Sequence, residues 1–110
     1  MVQTGAGKGK LATMTLEEYA DWAISVAGIT AGLKKTSLSY LGLGLSVEAG
    51  EVADLIRRWL RDGKLDRTAL IDELGDVAYY WTCLCVAAGQ NPAELLAQNR
   101  RKIEARLARR

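Results

Sequence analysis

The chain has 110 residues, a formal net charge of +2 and no histidine. That length allows one domain, and a domain so small buries only a modest fraction of its surface when it folds alone, so self-association would relieve the shortage. Without histidine there is no histidine general base, no Ser-His-Asp arrangement and no mixed Cys/His zinc site, and hydrolytic chemistry would have to run on carboxylates and a hard metal ion. Because Cys83 and Cys85 are two apart on a predicted helix, their side chains diverge by about 160° and read as small apolar fillers in a reducing compartment. No segment is long and apolar enough for a signal peptide or membrane span, so a cytoplasmic location without membrane attachment is expected.

Residues 1–13 carry glycines and lysines without periodicity and read as a flexible N-terminal arm, with the domain proper at 14–110. The GKGK run in the arm lacks the spacing and the terminal Ser/Thr of a phosphate-binding P-loop. A first helix is expected to start at Thr15, which forms a capping box with Glu18. It shows an apolar side of Leu16, Tyr19, Ala20, Ala23, Ile24 and Ala27, and is weakened at Gly28 and Gly32. After a basic connection, Lys34 to Ser37, a second helix is expected from about Ser39 to Arg61, with Gly63 as a left-handed exit. Asp66 caps a third helix over Arg67 to Ala88, stopped by Gly89. The last start is the sharpest, with Asn91 as cap, Pro92 as first helical residue and Glu94 as reciprocal partner, the helix continuing toward Arg106. Sustained strand alternation is missing throughout, so the expected fold class is all-α with four helices.

The second helix carries Leu41, Leu45, Val52, Leu55 and Trp59 at three- and four-residue steps, the pattern of a buried stripe. On a helical wheel Glu48 falls in the middle of that stripe and Glu51 on its shoulder, about 60° away. A lone carboxylate there loses hydration unless it is neutralised, paired or bound to a metal. The third helix has its stripe at Leu70, Leu74, Val77, Trp81, Leu84 and Ala88, with Glu73 at the edge and Asp76 further round, followed along that shoulder by Tyr80. Beyond Asp76 this helix is apolar on almost every face, as in a bundle larger than one short chain supplies. Trp59 and Trp81 read as core residues. Asp54 has Arg57 and Arg58 within reach on its own helix, and Glu51 could pair with Arg58 instead of binding metal.

Glu48 with Glu51, and Glu73 with Asp76, are each spaced i,i+3, so each pair projects from adjacent turns. Antiparallel packing of the two helices would gather four oxygen ligands, which suits Mg²⁺, with Mn²⁺ as a substitute, and leaves coordination sites for phosphate oxygens. The chain's end, Arg100 to Arg110, holds Arg100, Arg101, Lys102, Arg106, Arg109 and Arg110 against Glu104 alone. Such local basicity fits a phosphate-bearing partner or a solvated helix end.

The segments Glu-Ala-Gly-Glu-Val-Ala-Asp at 48–54 and Glu-Leu-Gly-Asp-Val-Ala-Tyr-Tyr at 73–80 resemble the paired ExxE and ExxD signature of the MazG-like all-α nucleoside triphosphate pyrophosphohydrolases. The Tyr40-Leu41-Gly42-Leu43 run and Asn99, Lys102 and Arg106 are also similar to the short, often phage-borne members of that family. Tyr79 stands where the family often has tryptophan. The resemblance implies hydrolysis of a nucleoside or deoxynucleoside triphosphate to the monophosphate and pyrophosphate by a homodimer or homotetramer. It further implies that Glu48, Glu51, Glu73 and Asp76 hold Mg²⁺. Glu48 is then either a metal ligand or the acceptor of the attacking water's proton, and Asn99, Lys102, Arg106 and Tyr80 are candidate substrate contacts. Two alternatives belong to other classes: a basic helical dimer that binds nucleic acid, which lacks any recognisable recognition motif, and a non-catalytic regulatory helical module.

Overall fold

The computed structural model describes residues 11–28 and 35–110. Four helices in chain order make up the described fold: α1 (Leu16–Ala27), α2 (Lys35–Asp62), α3 (Arg67–Ala87) and α4 (Pro92–Ala108). No helix among the described residues is long and apolar enough to cross a membrane. Of the expected N-terminal arm, Leu11 to Thr13 are exposed and without regular structure, while residues 1–10, Gly32 and Lys34 lie outside the described residues.

The helix ends follow local chemistry. Thr15 Oγ1 accepts the Glu18 amide at 3.0 Å, and Glu18 Oε1 accepts the Thr15 amide at 2.8 Å, which completes the capping box. Gly63, at φ 78°, turns the chain out of α2, its amide donating to the Trp59 carbonyl at 2.7 Å. Asp66 Oδ1 accepts the Ala69 amide at 3.1 Å to open α3, and Asn91 Oδ1 accepts the Ala93 amide at 2.8 Å to open α4 behind Pro92. Glu94 donates its amide to that same Asn91 oxygen, but among the described residues its carboxylate accepts no return bond from the Asn91 amide. The expected reciprocal arrangement is therefore only half present.

α2 begins at Lys35, not near Ser39, so most of the expected basic connection is helical. Leu38 explains the extension: it packs against the core, and its burial outweighs the weak helix preference of Thr36 and Ser37.

That core consists of Ala23 from α1, Leu41 from α2, and Cys83 and Ala87 from α3, with Tyr19, Leu38, Tyr79, Tyr80 and Leu84 packed against it. Both cysteines are free thiols and buried, as fillers should be. α3 is the hub: it touches α1, α2 and α4, whereas among the described residues the α4 backbone does not come close to α2. The layout is open, with a radius of gyration of 16.5 Å against about 13 Å for a compact domain of this length.

The open layout corrects the expected core. Trp59 is 44% exposed and Leu74 49% exposed, although both lie on apolar stripes. Trp59 sits toward the Gly63 end of α2, and among the described residues the α2 backbone runs close to no helix but α3. Trp81 is only half-buried. Ile103 and Leu107 on α4 are exposed as well. Periodicity identifies the apolar face of a helix, but burial needs an element opposite that face, and one chain does not supply it here.

Candidate metal centre

α2 and α3 run antiparallel across the short Gly63–Asp66 connection, and they meet closely where Gly44 faces Tyr80. A Cβ atom at Gly44 would overlap the Tyr80 ring. Glycine is what lets the helices approach there. One turn further along α2 stands Glu48, half-buried on the α3-facing stripe, and one turn earlier on α3 stands Asp76. The close approach at Gly44 thus sets the register that puts Glu48 opposite the second acid pair.

Glu48, Glu73 and Asp76 each offer a carboxylate oxygen within 4.8 Å of the other two. No salt bridge among the described residues reaches this cluster: the pairs formed are Asp54 with Arg57 and Arg58, Arg61 with Asp62, and Arg100 with Glu104. Glu73 Oε2 is buried and has no hydrogen-bond partner among the described residues. The Glu73 carboxyl is pushed above its ordinary value first by Glu48, which can accept a hydrogen bond from a protonated Glu73 but not from an ionised one. Lost hydration and the charges of Glu48 and Asp72 add to the push. Asp76 is raised by lost hydration, then by the charges of Asp72 and Glu73. Three close acids without a counter-charge repel one another, and a divalent cation or a shared proton is what relieves them.

The donor set consists of carboxylate oxygens alone, which matches the hard ions Mg²⁺ and Mn²⁺ and not zinc or copper. Glu73, a member of this set, carries the buried Oε2 without a hydrogen-bond partner among the described residues. The residues present therefore fit a divalent cation.

The other expected site residues divide into two groups. Tyr80 adjoins the cluster: its phenol is pushed upward first by a hydrogen bond to Tyr40, then by burial and by the charges of Tyr40 and Glu48. Its ring centroid lies 6.2 Å from that of Tyr40 and 5.6 Å from that of Tyr79. Glu51, by contrast, is exposed and outside the cluster, so three carboxylates gather and not the expected four. The i,i+3 step carries it about 60° round α2 from Glu48, off the α3-facing side. It forms no ion pair with Arg58, whose partner is Asp54 at 3.1 Å. Asn99, Lys102 and Arg106 are exposed on α4, a helix that packs on α1 and α3, and none of the ion pairs among the described residues joins them to the acids.

Sequence reasoning missed Gly44. Its signal was available in the Gly42-Leu43-Gly44 run inside a helix that has no break there, since an interior glycine kept at a cost of helix propensity often marks a close approach.

Sequence comparison decides the family. The profile of the MazG nucleotide pyrophosphohydrolase domain matches residues 36–109. The chain belongs to the MazG family. No curated protein sequence and no solved structure matches it. The matched segment spans all but the first residue of α2 and the whole of α3 and α4, so the acid cluster lies inside the MazG domain and α1 outside the match.

Proposed function

We propose that the chain is a nucleoside triphosphate pyrophosphohydrolase that cleaves a ribo- or deoxyribonucleoside triphosphate into the monophosphate and pyrophosphate. The observation that carries the reading is the close Glu48, Glu73 and Asp76 trio inside a MazG domain, with the Glu73 oxygen buried and unpartnered among the described residues. Glu48, Glu73 and Asp76 would hold Mg²⁺, or Mn²⁺ in its place, with Glu51 joining from one turn along α2 once a cation offsets the repulsion. When bound, the cation supplies charge neutralisation of the triphosphate and acidifies a coordinated water. The carboxylates fix the position at which phosphate oxygens can approach. Glu73, whose proton affinity is raised, is suited to accept the water's proton, with Glu48 beside it as the alternative acceptor. Tyr80 presents a phenol beside the acids that can donate to a phosphate or sugar oxygen.

Asn99, Lys102 and Arg106 lie at i,i+3 and i,i+4 spacing on the exposed side of α4 and are suited to phosphate oxygens. Because the α4 backbone does not come close to α2 among the described residues, we assign their contact with the acid site to a homodimer or homotetramer, in which the exposed Trp59, Leu74, Ile103 and Leu107 would also find cover. Sedimentation at micromolar concentration should then give a dimer or tetramer, and a monomer would overturn the assembly. We place the reaction in the cytoplasm, where free thiols such as Cys83 and Cys85 persist.

The test of the activity is product analysis. Incubation with Mg²⁺ and a panel of nucleoside triphosphates should release pyrophosphate and monophosphate, and chelation should abolish the release. Single phosphate as the product, or no product with any nucleotide while the protein binds RNA or DNA at the same salt, would refute the assignment.

A further inference from the structure

Tyr40 is a residue near the acids whose placement burial does not explain. It is 67% exposed, so the core does not hold it, yet its ring lies against Tyr80 with centroids 6.2 Å apart and planes inclined by 59°. Tyr40, Gly44 and Glu48 follow one another at four-residue steps on α2 and so share one side of that helix. The Tyr80 ring is fixed from two further directions. Gly44 receives it where any larger residue would collide, and Tyr79 meets it edge-on at 5.6 Å and 82°. A ring held in this way keeps one freedom, rotation of its O–H about the C–O bond, and the direction of that O–H is set by the acceptor it finds. Tyr80 is hydrogen-bonded to Tyr40, and the bond strengthens the hold of the Tyr80 oxygen on its proton, which identifies Tyr80 as the donor. The competing acceptor is Glu48. Helical side chains lean toward the N-terminus of their helix, so Glu48 is carried back toward Gly44 and the ring that covers it, and its charge acts on the Tyr80 phenol.

We propose that Tyr40 is a positioning residue of the metal centre: by accepting the Tyr80 O–H it turns that proton away from Glu48 and leaves the carboxylate oxygens free for a divalent cation. The inference rests on the cation site of the function proposed above and adds a residue that acts on it only through Tyr80. Partners one step removed from the ligands tune how well a metal is held, and a ligand oxygen that already accepts a hydrogen bond has less to offer a cation. The Tyr80 proton stays available to a phosphate or sugar oxygen that takes the place of the Tyr40 acceptor.

The experiment measures Mn²⁺ binding to the nucleotide-free protein by titration calorimetry, in wild type, in each single variant and in their combination. Tyr40→Phe removes the acceptor and keeps the ring, and because the residue is exposed the melting temperature should stay close to that of wild type. Its Mn²⁺ affinity should fall by about threefold to tenfold, the net worth of one hydrogen bond. Tyr80→Phe removes the proton itself and should bind Mn²⁺ at least as tightly as wild type. Tyr40→Phe combined with Tyr80→Phe should match Tyr80→Phe alone, so that the second change rescues the first, a result that packing damage at Tyr40 could not produce. Wild-type affinity in Tyr40→Phe, or a loss that Tyr80→Phe does not restore, would overturn the positioning role. Mn²⁺ binding that follows the expected pattern in a protein that releases no pyrophosphate would instead overturn the activity and leave the role of Tyr40 standing. Absence of Mn²⁺ binding to wild type would remove the cation site and the role of Tyr40 with it.

Discussion

Two acidic regions lie within a few helical turns of each other and behave in opposite ways. At the far end of α2, Asp54 is held by Arg57 at 2.8 Å and by Arg58 at 3.1 Å, and Asp62 by Arg61 at 2.8 Å. Hydrogen bonds from these guanidinium groups keep both carboxyls below their ordinary value. In the Glu48–Glu73–Asp76 region the neighbours are other acids, and Glu73 and Asp76 are raised. Residue type is therefore a poor guide to an acid's role. What separates a solvated ion pair from a ligand set is the sign of the nearest charge.

The largest expected effect comes from neutralising one acid of each kind. Glu73→Gln should lower pyrophosphate release by at least about tenfold and weaken Mg²⁺ binding, while apo thermal stability holds or rises because a repulsion has been removed. Asp54→Asn should do the reverse, leaving turnover intact and lowering the melting temperature slightly through the loss of an exposed ion pair. If both variants keep full turnover and unchanged magnesium dependence, the distinction between the regions collapses.

Gly44→Ala sharpens the comparison by disturbing the register without touching a charge. The added methyl must displace the Tyr80 ring, which is packed with Tyr40 and Tyr79, and overpacking of this kind costs about 1–3 kcal/mol. Denaturant unfolding should show that loss, together with weaker Mg²⁺ binding, whereas Gly42→Ala, with open space at its Cβ, should be neutral or stabilising. Equal stability of the two variants would mean that the helices do not depend on the close approach.

Lys102→Ala addresses the exposed cations. We expect triphosphate use to weaken by about threefold to tenfold, with the fold unchanged because Lys102 is exposed. Unaltered affinity and turnover would remove α4 from the site.

The smallest expected effect is on pH. Because Glu73 and Asp76 bind protons more tightly in the folded than in the unfolded chain, their contribution to apo stability grows as pH falls through their raised values and is complete below the ordinary ones, 4.5 and 3.8. It is lost as pH rises. Asp54 and Asp62 have the opposite sign, their stabilisation present above 3.8 and lost as pH falls through their lowered values. Apo stability should thus rise modestly as pH falls from neutral through the raised values of Glu73 and Asp76, and saturating Mg²⁺ should cancel that rise by displacing the shared proton. A melting temperature that falls steadily over this interval would overturn the uncompensated repulsion assigned to Glu48, Glu73 and Asp76.

Much of this was legible in the amino-acid order because it is decided within one or two helical turns. Thr15, Gly63, Asp66 and Asn91-Pro92 set helix ends through hydrogen bonds to their own neighbours, and the i,i+3 spacing of Glu48–Glu51 and Glu73–Asp76 follows from the helical repeat. The stripe position of Glu48 was readable for the same reason.

Which acids meet was settled only by how α2 and α3 pack. Glu51 shares the motif with Glu48 but points off the contact face, and Gly44 determines how near Tyr80 and α3 can come. Trp59 and Leu74 carry the hydrophobic pattern of core residues and remain exposed, since a repeat of 3.6 residues specifies a face and is silent about what stands opposite it. Local order fixes torsions and caps, whereas charge neighbours and burial arise between elements and belong to the tertiary structure.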